Sequence, residues 1–254
     1  MTLELYLWTG YIFIMGLFMG SFFNVVGIRV PEKISLLGRS KCPDCGHQLG
    51  VLELIPIIGY IFLRGRCKNC KSHISVKYPI MEFITGFLFA ISFVFLHENM
   101  IEYILVIVFI SLLVIVSVSD LYYQVVPDVV LLVFLPLLLG LRIASPVIVW
   151  YEGIIGAVIG FGFMFLMSIY GKIRFQKEAL GGGDIKLYGL IGLVLGFNTI
   201  FISVLLAGVY GLLYFAILRP KNHYIPFVPF IALGSITAYF VGPYVNEWIL
   251  NILV

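Results

Sequence analysis

Two aspartates and four cysteines are the residues of this sequence whose types and spacing could do chemistry. Asp184 closes the glycine run of "EALGGGDIKL" (residues 178 to 187), and Asp120 lies in "SDLYYQVVPD" (residues 119 to 128). Two carboxylates within hydrogen-bond reach cannot both ionise easily. They share a proton, one acting as base on a water while the other acts as acid toward a scissile carbonyl. The glycines suit this use: Gly181 and Gly183 predict a tight turn with positive φ, cheap only for glycine, that brings backbone close to a substrate strand or a carboxylate. The residues alone leave a plainer alternative open, with Asp184 as a helix N-cap favoured by the helix dipole and Asp120 as a solvated helix-end residue. Asp128 follows Pro127 and reads as an N-cap rather than a catalytic group.

The cysteines form two C-x-x-C pairs, "CPDC" at Cys42 and Cys45 and "CKNC" at Cys67 and Cys70, with 21 residues between them. That spacing predicts a tetrahedral zinc site. Four thiolates leave no open position for a substrate, so the zinc is expected to be structural, closing a loop with little apolar core of its own. His47 and His73 read as bystanders. Most of the loop's Lys and Arg residues read as partners of anionic headgroups.

The elements that must position these groups are membrane helices. Of the 254 residues 61% are hydrophobic and 11% charged, far from the composition of a soluble domain. Long uncharged runs, without the alternation of a barrel, predict an all-α polytopic membrane protein. Apolar runs at 5–28, 79–96, 101–119, 129–141, 153–170, 185–197, 199–218 and 226–241 predict about eight transmembrane helices. The runs 129–141 and 185–197 are the shortest of these. The first run is preceded by Glu4 and by no Lys or Arg, so it reads as a span rather than a cleaved signal. Glycine pairs four residues apart, Gly16/Gly20, Gly156/Gly160 and Gly192/Gly196, predict close helix packing. The expected organisation is a first helix over 1–28, a cytoplasmic zinc-binding loop domain over 29–78 and a membrane domain over 79–254.

Charge sets the expected topology. Nine of the 16 Lys and Arg residues fall between Arg29 and Lys77, which places that loop in the cytoplasm. Eight crossings then bring Lys172, Arg174, Lys177, Lys186, Arg219 and Lys221 to the same side, leave Arg142 on the far side and put both termini outside. An even number of crossings separates Asp120 from Asp184, so both are expected at cytoplasmic helix ends. On the cytoplasmic side disulfides are disfavoured, which supports metal ligation by the four cysteines.

With these residues in view, the chain resembles the type IV prepilin peptidases, membrane aspartic proteases of the GxGD class, along nearly its full length. The likeness is carried by "GSFFNVVGIRVP" (20 to 31), "RSKCPDCGHQL" (39 to 49), "LRGRCKNCKSHISVKYPIMEFITG" (63 to 86), "SDLYYQVVPD", "GGGDIKL" (181 to 187) and "IPFVPFIALG" (225 to 234). The resemblance implies Asp120 and Asp184 as the catalytic pair, Gly181 and Gly183 as the motif glycines and Lys186 as their companion. It implies cleavage of a short basic leader from prepilins or pseudopilins at the cytoplasmic face of the bacterial inner membrane. The bilayer and the prepilin are the implied partners, with no nucleic acid, and homo-oligomerisation stays open. Members with the cysteine loop also N-methylate the new amino terminus with S-adenosylmethionine. For that step Glu82, Asn24 and Arg29 are the candidates, Glu82 alternatively capping the helix that follows Pro79. The sequence has no G-x-G-x-x-G after a strand, so any methyl-donor site is expected in the loop and nearby helices. It departs from the family's pattern at Gly27 and Ile28 and in the apolar "VLELIPIIGY" (51 to 60). Competing readings are a transporter or channel that uses the two aspartates as a proton relay, and a GxGD protease acting on other helices.

Overall fold

The computed structural model describes residues 3–176, 181–218 and 226–253. Lys177, Arg219 and Lys221, which enter the charge count, lie outside the described residues, as do the first three residues of "EALGGGDIKL". The chain divides into two compact units, Met1–Tyr103 and Ile104–Val254. Among the described residues regular structure is helical, with no strand beyond two isolated bridges.

The first unit holds α1 (Leu3–Arg29), a short 3-10 turn (Val51–Glu53), α2 (Ile58–Phe62) and α3 (Lys77–Leu96). Helices α1 and α3 meet at backbone distance. A Cβ on Gly16 would lie 2.7 Å from the Gly86 Cα, and one on Gly20 would lie 2.8 Å from the Glu82 Cα. Any side chain there would part the helices, as the small-residue spacing predicts. Asn24 secures the same contact, its Nδ2 donating to the Tyr78 carbonyl at 3.2 Å.

Helix α4 (Met100–Tyr123) continues into the second unit, which adds α5 (Asp128–Ala144), α6 (Trp150–Phe175), α7 (Gly182–Leu195), α8 (Phe197–Leu218) and α9 (Val228–Leu253). Six of these helices (α1, α3, α4, α6, α8 and α9) are long and apolar enough to cross a membrane. The expected count of eight spans is therefore not confirmed. The two that fall short come from the two shortest runs: α5 has 17 residues and a proline at 136, and α7 has 14. At about 1.5 Å per residue α7 is ~21 Å long, against a hydrocarbon core of ~30 Å. Such a short helix is tolerated at membrane depth because protein surrounds it: Leu187, Tyr188, Ile191 and Val194 are all buried. Its closest neighbour is α6, where Gly156 and Gly192 bring the two backbones into contact.

Candidate active site and metal centre

Asp120 does not follow its helix, as the apolar run suggested, but sits in the last turn of α4 and is 7% exposed. The helix continues to Tyr123 and stops where Gln124 turns left-handed (φ 55°), its N–H bonded to the Asp120 carbonyl. The Ser119 hydroxyl donates to the Val125 carbonyl at 2.6 Å, folding the 124–127 link back against the helix end. The Asp120 Oδ2 accepts the backbone N–H of Val228, the first residue of α9, at 2.9 Å.

Asp184 is half-buried in the first turn of α7, whose N-cap is Gly181. It is the third helical residue, so the N-cap alternative does not hold, while its place at the positive end of the helix dipole does. The expected positive φ is also absent: Gly181 has φ −68°, and neither Gly182 nor Gly183 lies in the left-handed region. What Gly183 supplies is space. A Cβ there would lie 2.7 Å from the Val126 Cβ, so the α7 start seats directly on the link that follows Asp120. Gly181 is less constrained, its Cβ position meeting the Asp184 carboxylate at an ordinary 3.5 Å.

Asp128 is the first residue of α5 rather than its N-cap, which is Pro127. Its carboxylate receives the Lys186 ammonium at 2.8 and 2.9 Å, both side chains largely exposed. This ion pair joins the residue after the Asp120 link to the residue after the Asp184 turn, a partnership the sequence reading missed for both. In water such a pair is worth about 1 kcal/mol or less, so its use is in register rather than strength.

In the first unit the four cysteines converge, with all their Sγ atoms within 4.8 Å of one another. Cys42 and Cys70 are 3.8 Å apart and Cys45 and Cys67 are 3.9 Å apart. A tetrahedron of sulfurs at ~2.3 Å from zinc has edges of about 3.8 Å, so the residues fit that metal. The pairs sit on matching turns. Cys42 N–H bonds the His47 carbonyl and Gly46 N–H the Cys42 carbonyl, while Cys67 N–H bonds the Ser72 carbonyl and Lys71 N–H the Cys67 carbonyl. Gly46 (φ 70°) and Lys71 (φ 62°) take the same left-handed position. The N–H groups of Cys45 and then Asp44 lower the Cys42 thiol to about 6. Hydrogen bonding with the Ser72 hydroxyl likewise lowers Cys70, which favours the thiolate a metal requires, whereas burial and the neighbouring thiols raise Cys45. His47 is outside the cluster and pairs with Glu53 at 3.3 Å, while the Gly50 N–H, at 2.6 Å, is the chief cause of the lowered Glu53 carboxyl. His73 pairs with Arg66 in a β-bridge.

Glu82 lies in the second turn of α3, 8% exposed, and is not a helix-start acid. Its Oε2 accepts the Ile57 N–H at 2.8 Å. Ile57 is held at φ 59°, ψ −50° in a tight turn closed by Ile58 N–H to the Pro56 carbonyl, a costly conformation for a β-branched residue. Arg29 ends α1 and gathers the carbonyls of Ser35, Leu36, Gly38 and Arg39, so it organises the start of the loop as well as marking a helix boundary.

The family matches span both clusters. Residues 107–216, which include Asp120 and Asp184, match the type IV leader peptidase family, and residues 14–96 match the bacterial Peptidase A24 N-terminal domain. The chain belongs to the type IV leader peptidase family. It is 40% identical over 239 residues to the prepilin leader peptidase/N-methyltransferase of Bacillus subtilis, covering 91% of this chain and 93% of that one. Proteins of the same name in Myxococcus xanthus and Klebsiella pneumoniae are 38% and 35% identical. Those matches cover 79% and 80% of this chain and 60% and 91% of the relatives. No solved structure matches. The Val228 amide on Asp120 has no counterpart in the sequence reading.

Proposed function

We propose that this chain is a prepilin leader peptidase and N-methyltransferase of the bacterial inner membrane, with Asp120 and Asp184 as its proton-sharing catalytic dyad. The observation that carries the assignment is the seating of Gly183 on Val126, which sets the Asp184 turn against the link that follows Asp120. One carboxylate takes a proton from water while the other protonates the leaving amine of the scissile peptide. The substrate is a prepilin or pseudopilin whose own apolar helix lies in the bilayer and presents its basic leader at the cytoplasmic face. In the proposed topology the loop over 29–78 is cytoplasmic and the N-terminus outside. Cys42, Cys45, Cys67 and Cys70 hold a structural zinc there, and residues 79–254 carry the peptidase. The test is purified protein with a prepilin and labelled methyl donor, reading cleavage and methylation separately. A proton relay instead of a protease would need a gradient and no peptide.

The glycine motif divides unequally under this reading. Gly183→Ala is expected to lower cleavage about 10- to 100-fold, because its methyl must displace Val126 and with it the α7 start. Gly181→Ala is expected to cost about 1 kcal/mol in helix capping and to cleave nearly as wild type. Equal losses in the two variants would refute the steric account.

Methyl transfer from S-adenosylmethionine, which supplies an electrophilic methyl group, is assigned to the first unit. There Glu82 would orient the new terminal amine or the cationic donor, with Asn24 and Arg29 shaping the surroundings. Glu82→Gln keeps an acceptor for the Ile57 N–H and removes the charge. It is expected to cleave normally and to methylate at least about 10-fold more slowly. Loss of both activities together would instead mark Glu82 as a support for the Ile57 turn.

A further inference from the structure

The segment "IPFVPFIALG" entered the sequence reading as a likeness with no role attached. We propose that the backbone amide of Val228 is the positioning group of the dyad, fixing the Asp120 carboxylate through its Oδ2. This rests on the reading of Asp120 as catalytic. Both partners are buried, Asp120 7% and Val228 1% exposed, so the 2.9 Å bond is made away from water, where an amide donated to a carboxylate is strongest.

The local sequence leaves that amide available. Phe230 and Ile231 turn their N–H groups inward to the Phe227 carbonyl, and Pro229 has none to offer. The Val228 N–H is thus an outward donor at the positive end of α9. The rest of α9 is locked on α8. A Cβ on Gly234 would fall 2.6 Å from the Ala207 nitrogen and 2.8 Å from the Ser203 carbonyl oxygen, so the two backbones touch. Ser203 and Ser235 share a buried hydrogen bond of 2.9 Å, Tyr210 donates to Thr237 at 3.2 Å, and Asn246 donates to Thr199 at 3.4 Å. Contacts spaced along the whole hairpin fix its register, and so the place of the Val228 amide. Asp120, 108 residues earlier in the chain, is oriented by a backbone group of this helix rather than by a side chain.

The experiment compares full-length variants in lipid with a prepilin substrate. Val228→Ala keeps the amide. Val228→Pro removes it, and proline suits the first turn of a helix. An amide-to-ester replacement of the Phe227–Val228 link removes the N–H and leaves every side chain in place, so it decides the matter even where the proline variant folds poorly. Val228→Ala, which trims a buried side chain but keeps the N–H, is expected to lose less kcat than either form that lacks it. The proline and ester forms are expected to lose about 10- to 100-fold in kcat with KM unchanged. Asp120→Asn is run alongside. If it is inactive while the ester form cleaves at the wild-type rate, the positioning role is wrong and the dyad stands. If Asp120→Asn itself cleaves normally, both fall.

Discussion

Asparagine at either Asp120 or Asp184 is expected to slow leader cleavage about 10²- to 10⁴-fold while prepilin binding persists. That range is what a positioned acid or base ordinarily contributes. The side chain keeps its shape but can no longer carry the shared proton. At Asp120 the amide oxygen can still accept from Val228, so the loss is chemical rather than structural. Two groups that act as one unit give strongly non-additive losses. The double variant is therefore expected to be no slower than either single one, and losses that multiply would contradict a shared-proton dyad. Methylation supplies the control. It needs a freed amino terminus, so Asp184→Asn is expected to leave intact prepilin unmethylated and to methylate a pre-cleaved pilin at the wild-type rate. Failure on the pre-cleaved substrate would show that the substitution had damaged the protein.

The parts of this site that the sequence disclosed are those with a side-chain signature. Four thiols in C-x-x-C pairs point to a cluster that could hold a metal, which the converging sulfurs fit, and an uncharged run of about 20 residues announces a span. Asp120 and Asp184 were paired in the sequence by a count of eight crossings, whereas six helices long and apolar enough to span are found among the described residues. Their surroundings were not legible, since these depend on contacts between distant backbones. The amide that holds Asp120 belongs to Val228, and every residue but proline has one. The use of Gly183 looks from sequence like conformational freedom, yet it is room for Val126, a residue 57 positions away. Lys186 and Asp128 were each read separately, as a companion of the glycine motif and as a helix cap. Neither reading anticipates that they meet. Arg142 did leave a signal, as the one basic residue on the far side in the topology count. It is buried in the last turn of α5, where a cation needs protein partners rather than solvent. Span length was the other weak point. Hydropathy measures whether a helix can face lipid, and α7 does not have to, because protein encloses most of it.

Removing the metal is expected to unfold the cysteine loop, whose own packing is too slight to hold it. Between Val30 and Val76 the buried residues are Cys42, Pro56, Gly59, Gly65 and Cys67, so two of the five are cysteines of the cluster and two more have no side chain. The regular structure in that stretch is one 3-10 turn, the five-residue α2 and two isolated bridges, each bridge flanking a cysteine pair. Zinc bound by four thiolates supplies about 10–16 kcal/mol in small peptides, far more than such a core can supply. Wild-type protein is accordingly expected to carry one zinc per chain by elemental analysis. Cys67→Ser, or treatment with a strong chelator, is expected to lose it and to become open to limited proteolysis at the lysines and arginines of the loop. Methylation should fail with the metal, because Glu82 holds the Ile57 turn from α3 while the rest of the loop hangs on the cysteines. Cleavage should decline less, since Asp120, Asp184 and the Val228 amide all belong to the other compact unit. A metal-free protein whose loop resists protease would overturn the structural role of the site, and one that still methylates would remove the loop from that reaction.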